Sequence, residues 1–355
     1  MNKMKTEHHF AEQTFSMVKS FATHGNLLDF SALEGLAESK NLDDVLVKLR
    51  GTIYAEVVSS LEPPLTSSKF EMSFHKHLSQ IHHKLLKVTP NNEILTAYYL
   101  KYIASNLKIL LKGRAQNKSN EEISKHLDMH AEELIGRRDL IVKALSSENI
   151  KQTITLLENS EFGDDAISAL DIFEKTGKLQ IFDIFIDKAY FDKILQAYNL
   201  KHKDDQRIRD IVAVDIDSFN SLAVLRGKLW NLESSEIKKM LISPFFDVSE
   251  RNLMAMMDAE SIVESIKILL GTAYRKIILP TENEEESLTG IEDGFRTIGY
   301  RRAFNPFLWD INGISIVLGA IKLTELEMRN LSAVSFGVEH HLGVKEIMSK
   351  LVLLK

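Results

Sequence analysis

The stretch Asn106-x6-Gly113-x8-Glu122-Ile123-x3-Leu127 occurs three times in this chain with the same spacing. The other copies of this Asn template are Asn220-x6-Gly227-x8-Glu236-Ile237-x3-Leu241 and Asn330-x6-Gly337-x8-Glu346-Ile347-x3-Leu351. At ordinary residue usage of about 5–10%, a three-way identity in one column arises by chance roughly once in a few hundred columns. Five identities in register therefore indicate an internal repeat, and the copies start 114 and 110 residues apart.

The repeat extends upstream of each Asn template with looser identity. A segment that we call the aromatic stop reads Leu49-Arg50-Gly51-Thr52-Ile53-Tyr54, returns as Leu269 to Tyr274, and is fainter from Leu157 to Phe162. Between each stop and its template lies an acidic-x-x-apolar-x-basic pattern that begins at Glu71, Asp183 and Glu292. The unit is close to a small domain in size, and we predict three helical repeats at 1–137, 138–248 and 249–355.

The periodicity predicts an all-α protein. The chain has six prolines and sixteen glycines, and apolar residues recur at i, i+3, i+4 and i+7 along most of it. Leu179 to Ile186 is the one candidate strand, but its place in the acidic pattern favours a helix. With 355 residues, the chain exceeds the usual size of a single core, which fits three repeats. Three such copies around an axis would leave a central cavity.

Within the template, Asn and Gly lie seven residues apart, on nearly the same helical face. We expect the Asn to hydrogen-bond a neighbouring helix end, and Asn220→Ala to cost about 1–3 kcal/mol more than Asn117→Ala if a buried partner is stranded. The Gly can admit a close neighbour. Alternatively, Gly113 and Gly227 are helix stops because cations precede them, and this interpretation is favoured. Glu122 fits a capping box with Ser119.

Composition excludes several functional classes. A net charge of −6 gives no basic footprint for nucleic acid, and the absence of cysteine removes disulfides, thiolate metal sites and thiol nucleophiles. No phosphate loop, dinucleotide-binding or nucleophile-elbow motif occurs, so no cofactor and no catalytic residue are predicted. The longest apolar run, Ile314 to Ile321, is far shorter than a membrane span.

Histidines are the residues most suggestive of chemistry. Glu122, His126 and His130 are spaced by four, as metal ligands on one helical face would be, although an ordinary surface helix is the preferred interpretation. Four more histidines are predicted on one polar, solvated helix: His75, His77, His82 and His83. The segment Tyr300 to Trp309, which holds Arg301 and Arg302, could anchor a partner or seal a domain junction.

The motifs together resemble the C subunit of archaeal A-type ATP synthases, a family that includes the C subunit of bacterial V/A-type enzymes and the d subunit of eukaryotic V-ATPases. The resemblance rests on Glu327-Met328-Arg329-Asn330-Leu331, on the first template with its Glu121-Glu122-Ile123, and on the stops at Tyr54 and Tyr274. It covers the chain nearly end to end. The first helix departs from the family, since only Lys19 is basic between Thr14 and Phe21.

The resemblance implies a mechanical role. Family members look like a funnel with pseudo-threefold symmetry that sits between the membrane proteolipid ring and the D and F subunits of the central stalk. The chain would then be a non-catalytic rotor subunit on the cytoplasmic face of the membrane, coupling proton or sodium translocation to ATP synthesis or hydrolysis in the A/B head. Two other classes remain open: a free helical-repeat scaffold for cytosolic partners, and a metal-dependent helical enzyme.

Overall fold

The computed structural model describes residues 2–277, 283–309 and 313–353, and its regular elements in these ranges are all helices. The prediction of an all-α protein is confirmed, and Leu179 to Ile186 lies in a helix. The nineteen described helices are α1 (Asn2–Gly25), α2 (Phe30–Ala37), α3 (Leu42–Arg50), α4 (Ala55–Val58), α5 (Ser67–Val88), α6 (Glu93–Ala115), α7 (Asn120–Ser124), α8 (His130–Leu134), α9 (Arg138–Leu145), α10 (Ile150–Leu157), α11 (Gly163–Thr176), α12 (Gln180–Lys201), α13 (Gln206–Leu229), α14 (Ser234–Met240), α15 (Glu250–Asp258), α16 (Ile262–Leu270), α17 (Glu284–Trp309), α18 (Ile314–Glu339) and α19 (Val344–Ser349).

The chain divides into two compact units. The first combines residues 1–92 with residues 300–355, and the second holds residues 93–299. In the first unit α18 packs along α5 and is also covered by α1 and α2. In the second unit α12 lies along α6, while α13 is packed by α12, α15 and α16. The repeat boundaries near residues 137 and 248 describe the duplication of the sequence and stay a prediction.

The three helices that carry the Asn templates are α6, α13 and α18, and each is buried on several faces. Apolar side chains alternate there with small or polar residues that are also buried, such as Asn106, Asn220 and Asn330. A helix that is apolar nearly all round has to be enclosed by others. Each unit is therefore built around at least one such central helix.

Side-chain caps fix where many of the shorter helices begin. A carboxylate, amide or hydroxyl oxygen accepts a hydrogen bond from a backbone N–H in the first turn, which satisfies a group that the helix leaves free. The capping residues include Asp29, Asn41, Thr66, Asn149, Ser249 and Ser261. Within residues 2–277, 283–309 and 313–353, none of the helices meets the length and hydropathy that a bilayer span requires.

Candidate functional site

The Asn of each template bridges the chain to the backbone 22 residues later. Asn220 donates from Nδ2 to the carbonyl of Ile242 at 2.9 Å and accepts from the Ile242 N–H at 2.8 Å. Asn330 makes the same pair of bonds with Val352, both at 2.9 Å. Asn106 does so with Asp128, at 2.7 and 3.1 Å. We call this pair of hydrogen bonds the Asn clasp. It holds the segment after each template against the template helix.

The Gly of each template lies inside its helix and faces the Ile of the next helix. A Cβ atom added to Gly113 or Gly227 would come within 2.6 Å of Cγ1 of Ile123 or Ile237, and one added to Gly337 within 2.5 Å of Ile347. No side chain fits at that distance. The interpretation of Gly113 and Gly227 as helix stops is wrong, because both helices continue beyond them.

Each template helix ends in a left-handed residue instead. Asn117, Asn231 and His341 have φ of 57°, 54° and 55°. One residue later, a backbone N–H returns to the carbonyl of the template Gly at 2.9 to 3.0 Å, which is the 6→1 bond of a Schellman turn. The same turn therefore follows α6, α13 and α18, and the Gly is the residue whose carbonyl closes it.

The template Glu has a different task in each copy. Glu122 accepts the Ser119 backbone N–H at 2.8 Å and completes the predicted capping box. Glu236 lies 3.9 Å from Lys175, and Glu346 is exposed in the first turn of α19. All three carboxylates stand in the first turn of a short helix, where negative charge is favourable.

The aromatic stops share one hydrogen-bond pattern. Thr52 donates to the carbonyl of Leu49 at 2.8 Å and accepts from the N–H of Tyr54 at 3.1 Å. The corresponding bonds are made by Thr272 in the stop at Tyr274, and by Ser160 in the stop at Phe162. A serine therefore replaces the lost threonine without changing the turn, and the aromatic ring is fully buried in every copy.

Two of the stops bind a buried carboxylate three residues before a template Asn. The Tyr274 hydroxyl donates to Oδ2 of Asp217 at 2.8 Å, and Tyr54 hydrogen-bonds to Glu327. Asp217 also accepts the Asp247 N–H at 3.0 Å, and Glu327 accepts the Leu28 N–H at 2.5 Å. The tyrosine of one copy therefore closes onto the template helix of another.

Burial dominates the electrostatics of these carboxylates. It raises the pKa of Glu327 to about 7, although the hydrogen bonds from Tyr54 and Leu28 act in the opposite direction. It likewise raises the pKa of Asp217 to about 6, against the hydrogen bond from Tyr274. Burial followed by the nearby Glu327 charge raises the pKa of the Tyr54 hydroxyl. These groups are held as structural links, and neither carboxylate faces open solvent.

Sequence inspection missed this tyrosine–carboxylate pair, although a signal was available. Asp217 and Glu327 both stand three residues before a template Asn, while the first template has Ile103 there. The stop that lacks a hydroxyl is Phe162, in the copy that follows the one with Ile103. Ile103 and Phe162 are both fully buried, so the two positions that carry a polar link elsewhere are apolar in these neighbouring copies.

The acidic pattern contributes ion pairs between helices. Lys112 contacts Asp183 at 2.7 Å, and Arg226 contacts Glu292. The same template position holds Phe336 in the third copy, where the side chain is half exposed and stacks beside His340. Interhelical ion pairs thus link the copies in the second unit, and the third template has an aromatic contact at this position instead.

The histidine spacing does not produce a shared face. The hypothesis of one helical face holding Glu122, His126 and His130 is wrong, because α7 ends at Ser124 and α8 begins at His130. Among the residues that the structure describes, no three His, Asp or Glu side chains converge as metal ligands would. The predicted solvated histidine face on α5 is also wrong for His82, which is fully buried.

The aromatic segment at the end of α17 packs within the first unit. His24 of α1 stacks on Phe307 with ring centroids 4.4 Å apart and lies 5.4 Å from Phe304. Phe21 meets Phe307 edge-on at 5.3 Å. Trp309 is 74% exposed. Two of the predicted anchor residues therefore serve packing.

Comparison with known proteins places this architecture in a family. A family model described as ATP synthase (C/AC39) subunit matches residues 18–350. The C subunit of the A-type ATP synthase of Methanocaldococcus jannaschii is 23% identical, covering 92% of this chain and 83% of that protein. The C subunit of Pyrococcus abyssi is 25% identical over 91% of this chain and 85% of its own length, and that of Methanosphaera stadtmanae is 22% identical over 91% and 83%. The match includes the Asn, Gly, Glu and Ile of all three templates, and the chain belongs to the ATP synthase (C/AC39) subunit family.

Proposed function

We propose that this chain is the central-stalk rotor subunit of an A-type ATP synthase, on the cytoplasmic face of the membrane. The observation that carries the proposal is the family match over residues 18–350, together with relatives named as the C subunit of A-type ATP synthases. In this role the chain joins the membrane proteolipid ring to the D and F subunits of the stalk. It acts by contact, while ATP is made or hydrolysed in the A/B head.

The packing of the chain supports a part that transmits torque. Clasps at Asn106, Asn220 and Asn330 fix the segment after each template helix through two hydrogen bonds. Buried links between Tyr54 and Glu327 and between Tyr274 and Asp217 tie distant stretches of chain together. Such links resist relative movement of the helices that they join. A coupler needs this stiffness more than it needs reactive groups.

The first helix offers a surface for a partner in the complex. Ala11, Phe15, Val18 and Ala22 follow i, i+4, i+7, i+11 spacing on α1, and all four are exposed. Phe15 and Val18 are 51% and 60% exposed. A contiguous exposed apolar stripe is typical of an interaction site. We propose that a neighbouring protein of the assembled synthase covers this α1 stripe.

Copurification tests the proposal. A tagged chain is recovered from membranes in mild detergent, and the accompanying proteins are identified by mass spectrometry. We expect the A, B, D and F subunits and the proteolipid. Recovery without any of them would refute the rotor role, and recovery with cytosolic partners only would favour the free scaffold.

A matched pair of variants tests the α1 stripe within the same experiment. Val18→Asp places a charge in the stripe and should reduce recovery of the other synthase proteins at least tenfold. Leu200→Asp changes an isolated residue on α12 that is 78% exposed, and it should leave recovery unchanged. Equal recovery with both variants would remove the stripe from the interface while leaving the rotor role intact.

A further inference from the structure

A half-open pocket with a volume of about 290 Å³ lies in the first unit, between α1, α5, α18 and the stop at Tyr54. Apolar side chains form most of its wall, among them Ala22, Leu27, Ile81 and Leu85. Ligand pockets are typically lined in this way, with a few polar groups that set orientation. The volume is close to the lower limit for small-molecule sites, so the pocket suits one narrow chain better than both chains of a phospholipid.

Two cations face this pocket from different helices. Lys19 comes from α1 and Lys84 from α5, and both are exposed. Within the described part of the chain, no carboxylate lines the pocket and neither lysine forms an ion pair. The Lys19 ammonium lies 4.8 Å from the centre of the Phe15 ring. In a chain of net charge −6, this is a local positive site with no anionic partner among the described residues.

The other polar groups of the pocket are mostly occupied. Thr23 and Thr324 donate their hydroxyl protons to carbonyls of their own helices, Lys19 and Ala320. His77 meets the Tyr54 ring edge-on at 5.6 Å, and burial, followed by the nearby Lys84 charge, lowers its pKa. Lys19 and Lys84 are the charged groups of the lining, and they stand beside its apolar side chains.

We propose that this pocket binds a single-chain amphiphile with an anionic head group, such as a free fatty acid. The head group pairs with Lys19 and Lys84, and the chain lies against Ala22, Ile81 and Leu85. Cations at the rim with an apolar interior complement this class of molecule in both charge and shape. The proposal concerns the free chain, because Ala22 belongs both to this wall and to the α1 stripe. Absence of ligand binding would leave the rotor role intact.

Titration calorimetry with decanoate and 1-decanol tests the charge requirement, since the two probes differ in the head group alone. We expect decanoate to bind saturably, one per chain, and at least tenfold more tightly than 1-decanol. Lys19→Ala/Lys84→Ala should weaken decanoate binding by about tenfold or more. Lys76→Ala, which changes an exposed lysine on the same α5, should leave it unchanged. Equal binding of both probes, or unchanged binding by the double variant, would overturn the proposal.

A variant that fills the pocket tests whether decanoate binds there. Ile81→Trp should abolish decanoate binding while the melting temperature shows that the chain is folded. Undiminished binding by folded Ile81→Trp would place the probe elsewhere and overturn the assignment. Sedimentation with phosphatidylglycerol vesicles separates a free amphiphile from a bilayer lipid. We expect the lysine double variant to sediment as the unaltered chain does, and a selective loss of its sedimentation would assign the lysines to a membrane surface instead.

Discussion

The stop at Tyr274 and the stop at Phe162 solve one packing problem in two ways. Tyr274 reaches a buried carboxylate, Asp217, whereas Phe162 has no hydroxyl, and the template of the preceding copy has Ile103 where a carboxylate stands in the other two. Both stops keep the same backbone turn and complete burial of the ring. A buried polar pair can be exchanged for an apolar pair at little cost, while loss of one partner strands the other. All three copies therefore keep the backbone turn and the buried ring. The hydroxyl and the carboxylate, by contrast, are kept in two links and are both missing once.

The largest loss of folding stability is expected at the Asn clasp, which all three copies keep. Asn220→Ala strands the N–H and carbonyl of Ile242 in the core and should cost about 2–4 kcal/mol of unfolding free energy in urea denaturation. The exposed Asn159→Ala is the control, with an expected change within about 0.5 kcal/mol. Asn117 is a poorer control than the sequence suggests, because its φ of 57° makes alanine there strained. If both variants lost the same free energy of unfolding, the clasp would not contribute to stability.

The two buried carboxylates, Glu327 and Asp217, should change the free energy of unfolding in different pH ranges. Burial raises the pKa of Glu327 from 4.5 to about 7, so the stabilising protonated form is fully present below pH 4.5 and is lost as the pH rises through about 7. Relative to Glu327→Gln, the unaltered chain should lose roughly 2 kcal/mol between pH 5 and pH 8. Because the pKa of Asp217 is about 6, the corresponding loss relative to Asp217→Asn should end about one pH unit lower. Urea denaturation across pH measures both, and parallel, flat differences would contradict the assignment.

The contact between Gly and Ile is a second invariant part of the repeat. Gly227→Ala forces a methyl group against Ile237 and should destabilise the chain by about 1–3 kcal/mol. Gly290→Ala is the matched control on α17, since an added Cβ meets nothing within 4 Å there. It should be neutral or stabilise by up to about 1 kcal/mol, as alanine favours helix. If both variants melt alike, the template Gly is not kept for this contact.

Removing the hydroxyl from one stop and adding it to another tests whether a single change is costly when its partner stays unchanged. Tyr274→Phe removes one partner of Asp217, and Phe162→Tyr buries a hydroxyl where Ile103 offers no acceptor. Each should cost about 1–2 kcal/mol in urea denaturation. A Phe162→Tyr chain as stable as the original would show that the surroundings of Phe162 hold room and a partner for the hydroxyl.

Adding a helix cap should give the smallest change in stability. Of the three short helices that follow the templates, only α7 has a side-chain cap. Ser119 caps α7, but Glu233 provides no side-chain cap for α14. Glu233→Ser would recreate the capping box with Glu236 and should stabilise the chain by about 0.5–1 kcal/mol. Glu250→Ser, at an exposed position one residue inside α15, serves as the control for the loss of a charge. An unchanged melting temperature for Glu233→Ser would show that this helix start is fixed by packing alone.

The sequence predicted what depends on register and local pattern. Equal spacing identified three copies, apolar periodicity identified helices, and the Ser119 to Glu122 spacing identified a cap that the structure contains. It failed where contacts are distant in sequence. Gly113 follows a cation as a helix stop would, but its role is set by Ile123 of the next helix. His82 lies among polar neighbours in sequence, yet tertiary packing buries it.

The tyrosine–carboxylate links show a different limit. The residues of the pair, such as Tyr54 and Glu327, are too far apart for any local rule to join them. What was visible was a correlation inside one chain: one of the three stops lacks a hydroxyl (Phe162), and one of the three templates lacks the carboxylate (Ile103), in neighbouring copies. Internal repeats thus carry some of the information that related sequences usually provide, since each copy is a natural variant of the others.

The link between Glu327 and the residues near Leu28 has a consequence for how the chain is made. The first unit is assembled from residues 1–92 and 300–355, so its earlier half leaves the ribosome long before its later half exists. Residues 93–299 can complete their contacts in the meantime, because domains fold as units during synthesis. The segment translated first is therefore among the last to reach its native packing, since the partner of Tyr54, Glu327, is synthesised 273 residues later.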